Sequence, residues 1–235
     1  KKGLKNWLNF SLKIKMIWNN KFNYPKSSRS IEDGLRKYLV NNQKLPSVTS
    51  ILQQTKSDED KAALKNWIER VGPAVANKIK NEASATGTSM HSYLEDFLRG
   101  RINESFFESN EQYKNMAKEI IEKGIDNKLD EIYGIEETLY YPEQYAGTAD
   151  LIGVYQGNDV VIDFKQSNKP KKTDYIQDYF LQLGAYTLAH DVVHGTKMKA
   201  GIILLCTKDI LFQEFKIEGA ELEMYQNLFM GRVKK

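Results

Sequence analysis

Residues 147–153 read "GTADLIG" and residues 161–167 read "VIDFKQS". Two strand-like apolar runs each carry a carboxylate, Asp150 and Asp163, and Lys165 follows the second by two positions. A buried carboxylate is costly unless it is paired, hydrogen-bonded or bound to a metal. Asp163 comes after Val160, Val161 and Ile162, three β-branched residues that favour a strand. Side chains alternate along a strand, so Asp163 and Lys165 share a face. Gly147, Thr148 and Ala149 are small enough to let another group approach the backbone before Asp150. If a neighbouring strand sets Asp150 beside Asp163, the two acids repel unless a cation lies between them. Oxygen donors without cysteine indicate Mg²⁺ or Mn²⁺. The plainer alternative is an Asp163–Lys165 ion pair at a sheet end, with Asp150 a turn acid.

Outward from this stretch, the periodicity predicts an α/β protein with a largely helical N-terminal half. "RKYLVNNQKL" (36–45) reads as a hairpin turning at Asn41-Asn42. Ser47 caps a short helix, and Ser57 with three following acids opens another that ends at Gly72-Pro73. Helical spacing continues to Gly100 and again over 110–128. Three strands follow from residue 133, with Gly157-Asn158 as the turn between the last two. A helix over 173–194 stops at Gly195, then come two strands and a closing helix over 219–230. Residues 10–18 alternate as a half-buried strand would.

The chain has 235 residues and a net charge of +3, unevenly spread. Residues 1–30 hold eight basic residues and no acid, leaving 26 basic against 31 acidic in the rest. The division expected is a basic arm (1–30) and a single domain (31–235), with a helical part over about 45–130 and a sheet core over about 131–235. A basic arm suits a polyanion, nucleic acid first and an anionic membrane surface second. No apolar run is long enough to span a bilayer, and "FSLKIKMIW" is broken by two lysines, so an intracellular protein is expected. With Cys206 as the single cysteine, an internal disulfide and a four-cysteine zinc or iron–sulfur site are excluded. "HDVVH" (190–194) imitates half of a zinc site, but its last histidine stands in the last helical turn before Gly195, where the helix dipole alone favours it.

Two further stretches bear on the acids. "YFLQLGAY" (179–186) places Tyr179, Gln182 and Tyr186 on one helical face, with Tyr175 one turn earlier, and leaves Ile176, Phe180, Leu183 and Thr187 for the core. "GTSMHSYLEDFL" (87–98) sets His91 and Glu95 one turn apart while Met90, Leu94, Phe97 and Leu98 face inward.

His91, the Gly147–Asp150 element, the Asp163-Phe164-Lys165 triplet and Gln182-x-x-x-Tyr186 occur in the order seen in PD-(D/E)XK nucleases of the RecB-like type, which this sequence resembles over residues 36–216. "LPSVTSILQQT" (45–55) and "GTSMHSYLEDFL" resemble more specifically the mitochondrial genome maintenance exonuclease group and its virus-encoded relatives. The resemblance implies a restriction-endonuclease-like core, a mixed sheet flanked by helices. It implies Asp150, Asp163, His91 and the Phe164 carbonyl as metal ligands, without an iron–sulfur cluster. Lys165 would orient the attacking water or stabilise the phosphate, and Gln182 and Tyr186 would position the strand or the lysine. Glu137 would add an outer carboxylate, Glu136 being an equal candidate. Ser47 and Thr49 would contact a phosphate, and Tyr175 and Tyr179 would stack on bases. The implied activity is Mg²⁺- or Mn²⁺-dependent DNA exonucleolysis on single strands or ends. A structure-selective endonuclease, a non-catalytic nucleic-acid-binding protein and a protein held at a membrane surface by its basic arm are the rival readings.

Overall fold

The computed structural model describes residues 17–102 and 111–234. Three antiparallel strands come first: β1 (Ser27–Glu32), β2 (Leu35–Val40) and β3 (Gln43–Pro46). Asn41 and Asn42 both take positive φ (48° and 62°) in the β2–β3 turn, a conformation asparagine tolerates better than most residues. Most of the expected strand over 10–18 lies outside the described residues. Residues 27–30, assigned by sequence to the basic arm, form the start of β1.

Helices α1 (Val48–Gln54), α2 (Asp58–Val71) and α3 (Pro73–Leu98) follow. Ser47 and Ser57 cap the first two, each accepting the N–H of the third residue on. Helix α4 (Gln112–Ile120) runs into a wide turn over Ile121–Ile125 instead of continuing to 128. Gly124 there packs closely on the sheet, since a Cβ would lie 3.0 Å from Leu204 Cδ1 and Phe212 Cε2.

The main sheet has the order β4 (Leu129–Tyr141), β5 (Tyr145–Tyr155), β6 (Asn158–Ser167), β7 (Ala200–Thr207) and β8 (Phe212–Glu218). Only β6 and β7 are parallel, joined by α5 (Gln177–His194) as crossover. The mixed sheet flanked by helices is the architecture expected from sequence. The β5–β6 turn centres on Gln156-Gly157, both at positive φ, one residue earlier than Gly157-Asn158. Helix α5 starts at Gln177, after a separate turn over Thr173–Tyr175, and stops at Gly195 in the left-handed region. Helix α6 (Gly219–Val233) closes the chain.

Alternation along the strands divides the core between two faces. Val161, Ile203 and Leu205 pack under α1, α5 and α6 with Phe180, Leu183 and Phe229. Ile162, Phe164, Leu204 and Cys206 pack under α3 and α4 with Met90, Leu94 and Met116. Each fully buried leucine or methionine there contributes roughly 1.5–3 kcal/mol relative to exposure. Cys206 is buried, and burial pushes its thiol up to about 12, as befits a small apolar core residue.

Candidate active site

Strands β5 and β6 pair from Tyr155 opposite Asn158 as far as Leu151 opposite Ile162, and the ladder then stops. Beyond that point β5 stays with β4, while β6 stays with β7 through Ser167. The sheet splits where Asp150 and Asp163 stand. The Phe164 N–H, freed from the ladder, donates to Asp150 Oδ2 at 2.7 Å. Both acids are buried, Asp163 almost completely.

The split opens a cleft of about 430 Å³. Helix α3 supplies His91, whose Nδ1 lies 3.5 Å from Asp150 Oδ2. Helix α5 supplies Gln182, which donates to Asp163 Oδ1 at 3.0 Å and stands 3.1 Å from the Tyr186 hydroxyl. Lys165 Nζ forms an ion pair with Asp163 Oδ2, which is buried beneath it. Gly147 makes room for Tyr186, because a Cβ there would fall 2.5 Å from its Cε1. Ser47 and Thr49 reach the cleft from the start of α1, their hydroxyls 3.0 Å apart.

Strand β4 contributes Glu136 and not Glu137. Glu136 has φ of 54°, a left-handed conformation that costs a non-glycine residue roughly 1–2 kcal/mol. Ligand atoms of Glu136, His91 and Asp150 all lie within 4.8 Å of one another. Glu137 lines an adjoining groove, its chain beside Gly134. Such strain, held in place by surrounding structure, is a mark of functional positions. Sequence left the two glutamates equal, since nothing in "YGIEETLYY" announces a positive φ.

Charge in the cleft is frustrated. Burial raises Asp163 to about 6, with Asp150 adding to the rise against Lys165. Burial and then Asp150 raise Glu136 to about 7. Asp150 is held low despite burial, by the charge and hydrogen bond of His91, by Lys165 and by the Phe164 N–H. Burial pulls His91 down, but the charge and hydrogen bond of Asp150 carry it up to about 9. Lys165 is likewise held protonated by Asp163 and Asp150 against its burial. Two carboxylates and an imidazole with ligand atoms within 4.8 Å of one another, beside the buried Asp163 in the same cleft, fit a hard divalent cation. The donors are oxygen and nitrogen, without thiolate, which suits Mg²⁺ or Mn²⁺.

Two expected residues lie apart. Tyr175 sits in the turn before α5, is 77% exposed and does not line the cleft, because α5 begins at Gln177, four residues later than the expected start at 173. Tyr179 borders the cleft indirectly, its ring 5.1 Å from Lys165 Nζ. The side chain of Phe164 is buried under α3 and α4. His190 bonds to Thr196 Oγ1 (2.8 Å) and Tyr24 OH (3.1 Å), and burial lowers it to about 3, so "HDVVH" forms a neutral core contact. Sequence reasoning missed Arg29, Arg36 and Tyr38 of the small sheet, all of which line the cleft.

This chain is 31% identical over 179 residues to mitochondrial genome maintenance exonuclease 1 of Xenopus tropicalis, covering 70% of this chain and 49% of that protein. The human and mouse proteins of that name match at 30% over 182 residues and 32% over 178, each covering 70% of this chain and 50% of theirs. Over that matched region the chain belongs to the mitochondrial genome maintenance exonuclease group. It spans about half the length of the curated relatives it matches. No family model matches it. A solved structure of a candidate exonuclease from Eubacterium rectale is 15% identical at a TM-score of 0.42, covering 63% of this chain and 66% of that one, a likeness too distant to add to the sequence match.

Proposed function

We propose that the chain is a divalent-metal-dependent DNA nuclease that degrades single strands or DNA ends from their termini. The observation that carries this is the split between β5 and β6, which gathers Asp150, Glu136 and His91 beside the Asp163–Lys165 ion pair. The names of the relatives support the same reading.

His91, Glu136, Asp150 and Asp163 would hold the cation, joined by the Phe164 carbonyl. A divalent cation there supplies the acidified water and the charge neutralisation that phosphodiester hydrolysis requires. The protein's own groups do the rest. Lys165 brings a fixed positive charge to a cleft that receives an anionic phosphate. Gln182 fixes the rotamer of Asp163, and Tyr186 fixes Gln182. The Phe164 N–H orients the Asp150 carboxylate before anything binds. Ser47 and Thr49 offer hydroxyls to a phosphate, and Tyr179 borders the path of the strand.

Linear and covalently closed circular single-stranded DNA, incubated at equal concentration with protein and Mg²⁺, test the proposal. Progressive shortening of the linear form with the circle intact is expected. Rapid cutting of the circle would show an endonuclease instead.

A further inference from the structure

The small sheet β1–β2–β3 has two faces with different chemistry. Its inner face lies on the main sheet: Ser27 Oγ meets Thr138 Oγ1 at 2.7 Å, and Tyr38 OH meets Thr148 Oγ1 at 3.0 Å. Arg29 pairs directly across from Tyr38, and Arg36 lies two residues before it, so both arginines share that inner face. There they overhang the cleft that holds Asp150, Asp163 and Lys165.

The cations of the outer face are committed. Lys37 and Lys44 both pair with Glu32. Among the described residues, Arg29 and Arg36 have no carboxylate within ion-pair distance, although four carboxylates line the same cleft. Those acids face other partners: Glu95 bonds to Arg99, Asp163 contacts Lys165, and Asp150 and Glu136 converge with His91. Arg36 is nonetheless placed firmly. Its N–H donates to Ser50 Oγ at 2.9 Å, and its carbonyl accepts from Ser50 Oγ and the Ser47 N–H. The backbone is thus pinned to the start of α1 while the side chain remains exposed. Arg29 also borders the adjoining groove lined by Trp18, Asn20 and Lys26, so a strand leaving the cleft on that side passes over it.

We infer that Arg29 and Arg36 form a clamp for a backbone phosphate of the bound strand next to the one cleaved, reaching the cleft from the small sheet. The inference rests on the nuclease reading and adds to it a phosphate subsite on the small sheet. Guanidinium groups suit this task because their planar donors grip a phosphate in pairs. A clamp on the backbone reads no base edge, so it serves any sequence.

The test is binding of a fluorescent single-stranded oligothymidine, in chelator to prevent cleavage, over a range of salt concentrations. Wild type is compared with Arg29→Gln/Arg36→Gln and with Arg36→Lys, and each protein's secondary structure is checked by circular dichroism. The double variant should bind roughly 10- to 100-fold more weakly. Its slope of log affinity against log salt should flatten by about 0.7, the contribution of one single-strand phosphate. Arg36→Lys should keep the slope and lose part of the affinity. If the double variant matches wild type in affinity and slope while wild type still binds and degrades DNA with Mg²⁺, the clamp is overturned and the nuclease reading stands. If wild type neither binds the oligonucleotide nor degrades it with Mg²⁺, both fall together.

Discussion

The Phe164 N–H donates to Asp150 Oδ2 at 2.7 Å, bridging β6 and β5 where their ladder has ended. One hydrogen bond thus satisfies a backbone donor that the split would leave unpaired and aims a carboxylate into the cleft. Structure and site are linked here: the strands separate because an acid replaces the ladder partner. It also helps keep Asp150 ionised although buried.

The backbone of β4 distinguishes two adjacent glutamates. Glu136→Gln should reduce Mg²⁺-supported cleavage by at least about 10-fold, as loss of a carboxylate at a metal site does. Glu137→Gln should change it little, since Glu137 faces the neighbouring groove. Steady-state rates of the two variants side by side check this. Equal losses would mean that the positive φ at Glu136 has no part in the site.

Lys165 is separable from the ligands. Lys165→Ala should slow single-turnover cleavage by about 10²- to 10³-fold, as loss of an electrostatic stabiliser does. Metal affinity, read by calorimetry, should remain. A collapse of affinity with the rate rescued by high metal would make the lysine structural.

These two residues show what the sequence conveyed. Asp163 and Lys165 were legible because strand alternation puts both on one face whatever the tertiary structure. Helical spacing put His91 and Gln182 beside recognisable apolar stripes, but their roles came only from the family resemblance. Glu136 was not, because its selection depends on one backbone dihedral. Arg29 and Arg36 were hidden for another reason: β1 reads "SSRSIE", with no apolar alternation, and it becomes a strand only by pairing with β2. Tyr175 was misplaced because the helical pattern starts at 173, four residues before the real start of α5.

His91 gives the metal-free protein a pH signature. Its pKa rises on folding from 6.5 to about 9, so the folded state holds the extra proton and gains stability below 6.5 that disappears as pH climbs to 9. Glu136, at about 7, is half titrated at neutrality and adds to the loss just above it, so the histidine's share is read from the difference between wild type and His91→Gln. Denaturation in chelator should therefore show wild type losing on the order of 1–2 kcal/mol between about pH 7 and pH 9, after allowance for partial exposure. His91→Gln should lose less, and parallel curves would contradict the Asp150–His91 interaction.

Gly147→Ala tests the close packing beneath the site. The added methyl would overlap Tyr186, so the ring must move and Gln182 loses its support. A stability loss of about 1–3 kcal/mol is expected, with reduced cleavage. Wild-type melting and activity would show that the ring yields without cost.

The most direct test concerns the acids of the cleft themselves. End-labelled single-stranded DNA is mixed with excess protein and followed over time, for wild type and Asp163→Asn, each with Mg²⁺ and with chelator. Wild type with Mg²⁺ should shorten the strand progressively, chelation should stop it reversibly, and folded Asp163→Asn should leave the label intact in both conditions. An intact strand with wild type at saturating Mg²⁺, or equal cleavage by Asp163→Asn in chelator, would contradict the account.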